Sequence, residues 1–289
     1  MALNFKSLLI RTLTAAVFVA VLLSAICFYY ACFSLLFFIV SLWGLYEYFN
    51  IAEKLGAKPF KGITYCTAII LYLAVFMENI GFGFPLILVV FSISVSFLIL
   101  VAALFSGNEK PIHDLGYSVL GILYCVLPFF LLNKLVTIGD FPRPESEYFN
   151  LGAKQYNSHL ILGPILLIWA SDSFAYLVGS MIGKRKLYER ISPGKTWEGT
   201  IGGGVLTMAS SYIVAGWFPE IEFKHWLVIS VLVVVFGTLG DLFESLLKRQ
   251  AGLKDSGKIM PGHGGILDRF DSLMFVTPFV YLYLSWVLG

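Results

Sequence analysis

Residues 245–271 read SLLKRQAGLKDSGKIMPGHGGILDRFD and lie between two long apolar runs. Asp255, Asp268, Asp271, five bases and a histidine crowd this stretch, in a chain that is 58% hydrophobic and only 13% charged. Soluble domains carry roughly 25% charged residues, and the mean hydropathy here is +0.83. A water-soluble class is therefore excluded. Several apolar stretches approach the ~20 residues that a transmembrane helix needs, more than a soluble core could absorb. The fold class expected is all-α, a polytopic integral membrane protein. The polar stretch is then an island at the edge of a membrane core, where ionisable residues are functional candidates by default.

Hydropathy places about nine transmembrane helices, near 8–29, 33–50, 63–80, 84–105, 115–137, 159–182, 200–217, 226–247 and 270–288. The first, preceded by Lys6 and Arg11, continues well past the weak cleavage-like Ser24-Ala25-Ile26 and reads as an uncleaved span. Residues 138–158 form the longest loop outside the polar motifs. With no repeat array and no low-complexity tract, 1–289 reads as a single membrane domain. Its N-terminal helical half is 1–158 and its chemical half is 159–289. Cys27, Cys32, Cys66 and Cys125 lie in apolar runs without CxxC spacing and read as buried hydrophobes.

With the N-terminus inside and the helices alternating, sixteen of the 20 Lys and Arg fall on the cytoplasmic side, as the positive-inside rule requires. The motif-bearing loops fall on that side too, so the active site is expected to face the cytoplasm. Glu78, His113, His159 and His225 sit near helix ends and read as solvated interface positions. Trp43, Trp217, Trp226 and Trp286 read as members of an interfacial aromatic belt.

Three groups of residues carry the chemistry. At the end of the eighth run, Asp241, Ser245 and Lys248 follow an i, i+4, i+7 rhythm on one helix face, and Glu244 pairs with Lys248 on the adjoining line. A carboxylate, a hydroxyl and an ammonium on one stripe suit a divalent metal beside a phosphate. Lys248 and Arg249 also fit a helix end snorkelling to headgroups, but a carboxylate one turn deeper gains nothing from that.

The second group is Asp268-Arg269-Phe270-Asp271, preceded by the turn Pro261-Gly262-His263-Gly264-Gly265. Acids in a first helical turn suit the helix dipole. With Asp241 they make three acids beside a glycine turn, more than a cap requires, and Mg2+ is commonly held by one or two carboxylates plus substrate phosphates. Asp241, Asp268 and Asp271 are the metal candidates, for one or two ions. Glycines ahead of a helix suit an anion cradle, which makes Gly264 and Gly265 phosphate candidates. His263 reads as a proton carrier, a phosphate hydrogen-bond donor or a loop filler.

The third group starts at Ser171-Asp172-Ser173, where Asp172 sits in mid-run and needs a partner or a metal. Gly179 and Gly183 continue its face as a small-residue stripe suited to helix packing. Ser192-Pro193-Gly194-Lys195-Thr196 lacks the earlier glycine and the strand context of a P-loop. As a loop it offers Ser192, Lys195 and Thr196 to a triphosphate.

In this order, SDSFAY, SPGKTWEGTIGG, GDLFESLLKR, the HGG turn and DRFD, the stretch from Trp169 to Asp271 closely resembles the phosphatidate cytidylyltransferases. These are membrane enzymes that make CDP-diacylglycerol from CTP and phosphatidic acid. Met260 before the proline is the one small departure. The resemblance implies cytidylyl transfer from CTP to phosphatidic acid with release of pyrophosphate, and Mg2+ as cofactor. Asp241, Lys248, Arg249, His263, Asp268 and Asp271 would be catalytic, and Asp172, Ser192, Lys195, Thr196, Gly264 and Gly265 would bind the nucleotide. The expected surroundings are the lipid bilayer of a cytoplasmic (inner) membrane, a homodimer, and no nucleic acid. The alternatives are a nucleotide-dependent lipid kinase and, in a different class, an anion transporter. A CDP-alcohol phosphotransferase is disfavoured, because its DG…AR…G…D…D pattern is absent.

Overall fold

Charged and turn-forming residues punctuate the chain into long rods, and the computed structural model follows those breaks. It describes residues 5–82, 85–139, 156–262 and 264–288. Helices α1 (Phe5–Cys27), α2 (Tyr30–Lys54), α3 (Lys61–Asn79) and α4 (Pro85–Phe105) run in succession. Then α5 (Pro111–Gly121) continues through a π turn, Ile122–Val126, into α6 (Leu127–Leu135) as one rod. The second half holds α7 (His159–Ile182), a hairpin of β1 (Lys186–Tyr188) and β2 (Ser192–Thr196), α8 (Trp197–Trp217), α9 (Phe223–Gln250) and α10 (Leu267–Leu288). Residues 140–155 of the expected long loop lie outside the described residues.

Seven helical rods among the described residues are long and apolar enough to cross a bilayer, which makes this an integral membrane protein. The expected count of about nine is not confirmed. The 23-residue α1 contributes the shorter apolar stretch Arg11–Cys27, which is not among the seven. In α8 the glycines 199, 202, 203 and 204, with Thr200, Thr207, Ser210 and Ser211, dilute the apolar character that a span needs. The all-α expectation holds, and the helices are joined at one point by a short antiparallel hairpin that pairs Lys186 with Thr196 and Tyr188 with Ser192.

Those glycines in α8 serve close packing. A Cβ on Gly199 would lie 2.7 Å from the Ala175 carbonyl oxygen, and one on Gly203 would lie 2.6 Å from the Ala175 Cα. With Gly179 and Gly183 opposite them, α7 and α8 approach backbone to backbone, the small-residue packing that membrane helices favour. Gly203→Leu should therefore cost about 3 kcal/mol, the upper end for overpacking, read as a lower thermal midpoint in detergent. An unchanged midpoint would mean that these faces do not meet.

The two halves share aromatic packing. Phe270 of α10 meets Phe18, Phe37 and Phe129 edge-on, with ring centroids 5.8, 5.9 and 6.0 Å apart. Some expected interface residues are instead enclosed. Trp226 is 1% exposed, its ring packed against Gly163 and its N–H donated to the Phe218 carbonyl. Glu78 pairs with Lys134, His159 with Glu220 at 2.5 Å, and His225 with the Tyr283 hydroxyl at 2.8 Å. Near an apolar phase, a partner costs less than lost water. His113 is partly exposed, 3.8 Å from Asp114. The four cysteines are free thiols, and only Cys125 is buried.

Candidate active site

Gly240 sets the geometry of the site. A Cβ there would lie 2.6 Å from the Asp271 carbonyl oxygen, so α9 and α10 close on each other at that point. This brings the polar end of α9 against the first turns of α10. Asp241, Glu244 and Asp271 each present a carboxylate oxygen, all within 4.8 Å of one another. Glu244 is 1% exposed. Its Oε2 accepts from Lys248 Nζ at 2.7 Å, while its Oε1 is buried without a hydrogen-bond partner among the described residues. An uncompensated buried oxygen is costly. Placed among two further carboxylates, it has the donor chemistry that suits a hard divalent cation. This acidic group can hold a metal ion.

Lys248 anchors the cluster from below. Its ammonium donates to Glu244 and, at 2.5 Å, to Asp268 Oδ1. Asp268 Oδ2 accepts from Gly265 N at 2.7 Å and from both N and Oγ of Ser256 at 2.9 Å. Both Asp268 oxygens are thus occupied by protein donors. Of the expected metal set of Asp241, Asp268 and Asp271, the structure clusters Asp241 and Asp271 with Glu244, while Asp268 bonds Lys248 instead.

The glycine turn is similarly committed. Gly262 and Gly264 take positive φ values of 79° and 86°, open to glycine without strain. Met260 N donates to the Gly264 carbonyl at 3.1 Å. The Gly265 N–H, expected in an anion cradle, points at Asp268. His263 lies outside the described residues.

The opposite wall comes from α7 and the hairpin. Thr196 caps α8, its hydroxyl accepting from Gly199 N at 3.2 Å. Trp197 N bonds the Arg185 carbonyl at 2.9 Å, and the Glu198 carboxylate accepts from the backbone N–H groups of Lys184 and Arg185. Those donors, Lys184 first, lower the Glu198 pKa. The hairpin so fastened carries Lys195 across to pair with Asp241. Ser245 donates to the same carboxylate at 3.3 Å.

Between the walls lies a cleft of about 630 Å3. Of the residues expected from sequence, Asp172, Lys195, Thr196, Asp241, Asp268 and Asp271 line it, and Lys248 supports its floor. Ser192 sits at the start of β2, paired with Tyr188, and does not line the cleft. Arg249 is exposed on the outside, bonded to the carbonyls of Ile191 and Leu253. Sequence reasoning assigned no role to Arg269, which is exposed in the cleft and makes no ion pair among the described residues. It also left Glu244 out of the acidic cluster; its i, i+3 spacing from Asp241 was the available signal.

The profile of the cytidylyltransferase family matches residues 9–287. A phosphatidate cytidylyltransferase of Bacillus subtilis (strain 168) is 39% identical over 190 residues, 65% of this chain and 65% of that protein. Those of Staphylococcus haemolyticus (strain JCSC1435) and Staphylococcus aureus (strain COL) are each 38% identical over 194 residues, 66% of this chain and 67% of theirs. The aligned stretch thus spans about two thirds of the curated relatives.

Proposed function

Because this chain belongs to the cytidylyltransferase family, we propose that it transfers a cytidylyl group from CTP to phosphatidic acid, giving CDP-diacylglycerol and pyrophosphate. The observation that carries the reading is the cleft itself, with Asp241 and Asp271 of the acidic cluster on one wall and Lys195 brought to Asp241 from the other. The phosphate of phosphatidic acid is already an anionic nucleophile, so no serine or cysteine is required. Its oxygen forms a bond to the α-phosphorus of CTP, the α–β anhydride bond breaks, and pyrophosphate leaves with that electron pair.

Such a reaction depends on placement and charge neutralisation. Asp241, Glu244 and Asp271 would hold Mg2+, which when bound draws charge from the phosphoryl oxygens. Lys195 is poised to exchange its contact with Asp241 for a nucleotide phosphate. Arg269, a planar fork of donors suited to phosphate, faces the cleft for the second substrate. Asp172 and Thr196 line the nucleotide side. Asp268 and Lys248 hold the acidic cluster in place, and Arg249 fastens the hairpin end at Ile191.

The cleft opens at the end of the bundle where α2 stops at Lys54, α3 starts at Lys61 and α9 stops after Lys248 and Arg249. The basic loops cluster there, which supports a cytoplasmic mouth. The exposed apolar side chains of α4 and α8, such as Leu86, Phe97, Ile201 and Val205, suit contact with acyl chains of the bilayer. A homodimer is read from mass in detergent.

The test uses purified protein with CTP labelled at the α-phosphorus, phosphatidic acid and Mg2+, with ATP as control. Label is expected in a lipid product, dependent on CTP and on Mg2+. Label that enters lipid only from the γ-position would replace this reading with a lipid kinase, and no transfer of either label would leave a transporter.

A further inference from the structure

One carboxylate of the N-terminal half reaches into the catalytic half. Glu47 of α2 is 2% exposed. Its Oε2 accepts from Ser256 Oγ at 2.9 Å and from Leu267 N at 3.0 Å, partners 209 and 220 residues away. Glu47 makes no ion pair among the described residues, and its Oε1 is buried without a hydrogen-bond partner.

Each contact bears on the site. Leu267 opens α10, and its N–H is one of the donors that a helix cannot satisfy internally. A carboxylate there also suits the positive end of the helix dipole. Glu47 therefore caps α10 from another helix. Ser256 passes the contact on, since its N and Oγ both reach Asp268 Oδ2. Its single hydroxyl proton serves Glu47 or Asp268 at any moment, which ties the two acids together. Asp268 holds Lys248, and Lys248 holds Glu244. The turn is shaped around this acid: a Cβ on Gly257 or Gly265 would run into the Glu47 carboxylate.

We propose that Glu47 is a positioning residue for the cation cluster, fixing the start of α10 and, through Ser256, Asp268 and Lys248, the free oxygen of Glu244. This rests on the reading of Asp241, Glu244 and Asp271 as metal ligands. It gives the N-terminal helices a catalytic duty in addition to lipid contact.

The test reads Mn2+ binding by electron paramagnetic resonance on purified protein without nucleotide, alongside kcat, KM for CTP and the thermal midpoint. Groups that orient metal ligands are worth about 10–100-fold in affinity or activity, so Glu47→Ala should weaken Mn2+ binding and lower kcat within that range, with KM for CTP little changed. Gly265→Ala, which displaces the carboxylate from the other side, should do the same. Glu47→Gln keeps an acceptor for Leu267 N and should restore much of both. Glu53→Gln, on the same helix but paired outward with Lys61, should match the wild type.

Should Glu47→Ala not accumulate, Ser256→Ala cuts the link while leaving α10 capped and carries the same test. Wild-type Mn2+ affinity and kcat in the folded variants would overturn the proposal. So would a lowered midpoint with unchanged Mn2+ affinity, and so would a wild type that binds no Mn2+. Loss of Mn2+ affinity in Glu47→Ala, beside a wild type that transfers no α-label, would uphold Glu47 and remove only the assigned reaction.

Discussion

Asp271→Asn is expected to abolish turnover while leaving the protein at least as stable as the wild type. Its carboxylate lies with those of Asp241 and Glu244 within 4.8 Å, and its Oδ1 accepts from Ser272 N at 2.6 Å, a bond that the amide oxygen preserves. Substitution removes one negative charge from a crowded group, so the apo protein loses repulsion. What it also removes is an anionic ligand for the ion that neutralises the phosphates. Losing several kcal/mol of such stabilisation lowers kcat by roughly 10³-fold or more. Asp268→Asn should differ in kind. Lys248, Ser256 and Gly265 would lose a charged acceptor, and each such bond is worth about 1.5–3 kcal/mol, so activity and stability should fall together. Turnover of α-labelled CTP and thermal midpoints in detergent separate the two patterns. Near-normal turnover in Asp271→Asn would sink the metal assignment.

Lys248→Ala should cost the fold as much as the chemistry. The lysine side chain is 10% exposed, and the carboxylates it joins are 1% and 7% exposed. Deleting one partner from a buried ionic group leaves the rest uncompensated, typically about 3–5 kcal/mol. Here Glu244 and Asp268 would both be stranded at the edge of an apolar phase. A sharp drop in midpoint, or no extractable protein, is expected. Lys248→Arg should not rescue, because a planar fork does not replace a point charge between two acids. Adding Glu244→Gln to Lys248→Ala removes the more deeply buried of the two stranded charges and should recover part of the stability without recovering turnover. A stable single variant would show that the ammonium does not carry the cluster.

Charge in an apolar chain is conspicuous because membranes penalise it, and for that reason the ends of α9 and α10 could be read from the sequence. Asp172 stood out for the same reason. The hairpin did not: SPGKT has neither the length nor the β-branched content of a strand, and its pairing depends on Thr196, Trp197 and Glu198 folding back on residues 184–186. The span expected at 200–217 is a helix but is not confirmed as a span, because the glycines that lower its apolar character are the ones that weld it to α7. Asp268 was legible as important but not as a brace, because its partners Ser256 and Lys248 come from two other segments. Glu47 was invisible. One acid in GLYEYFN looks like any interfacial residue, and no periodicity connects it with a serine 209 positions later.

The glycine weld has a mechanical meaning. With α7 and α8 in backbone contact, Asp172, Lys195 and Thr196 ride on one stiff panel, while Asp241, Glu244, Lys248 and Asp271 ride on the α9–α10 pair. Beside the cleft, Lys195 to Asp241 and Arg249 to the Ile191 carbonyl cross from panel to pair, and farther away Trp226 of α9 packs on Gly163 of α7 and bonds the Phe218 carbonyl. The cleft is therefore the lightly stitched end of a seam between two plates that are packed firmly farther along, at Gly163–Trp226 and Gly204–Val234. A triphosphate gripping both plates would act as the missing seam thread, so the stiffness of the whole bundle should rise with nucleotide bound and relax when pyrophosphate departs.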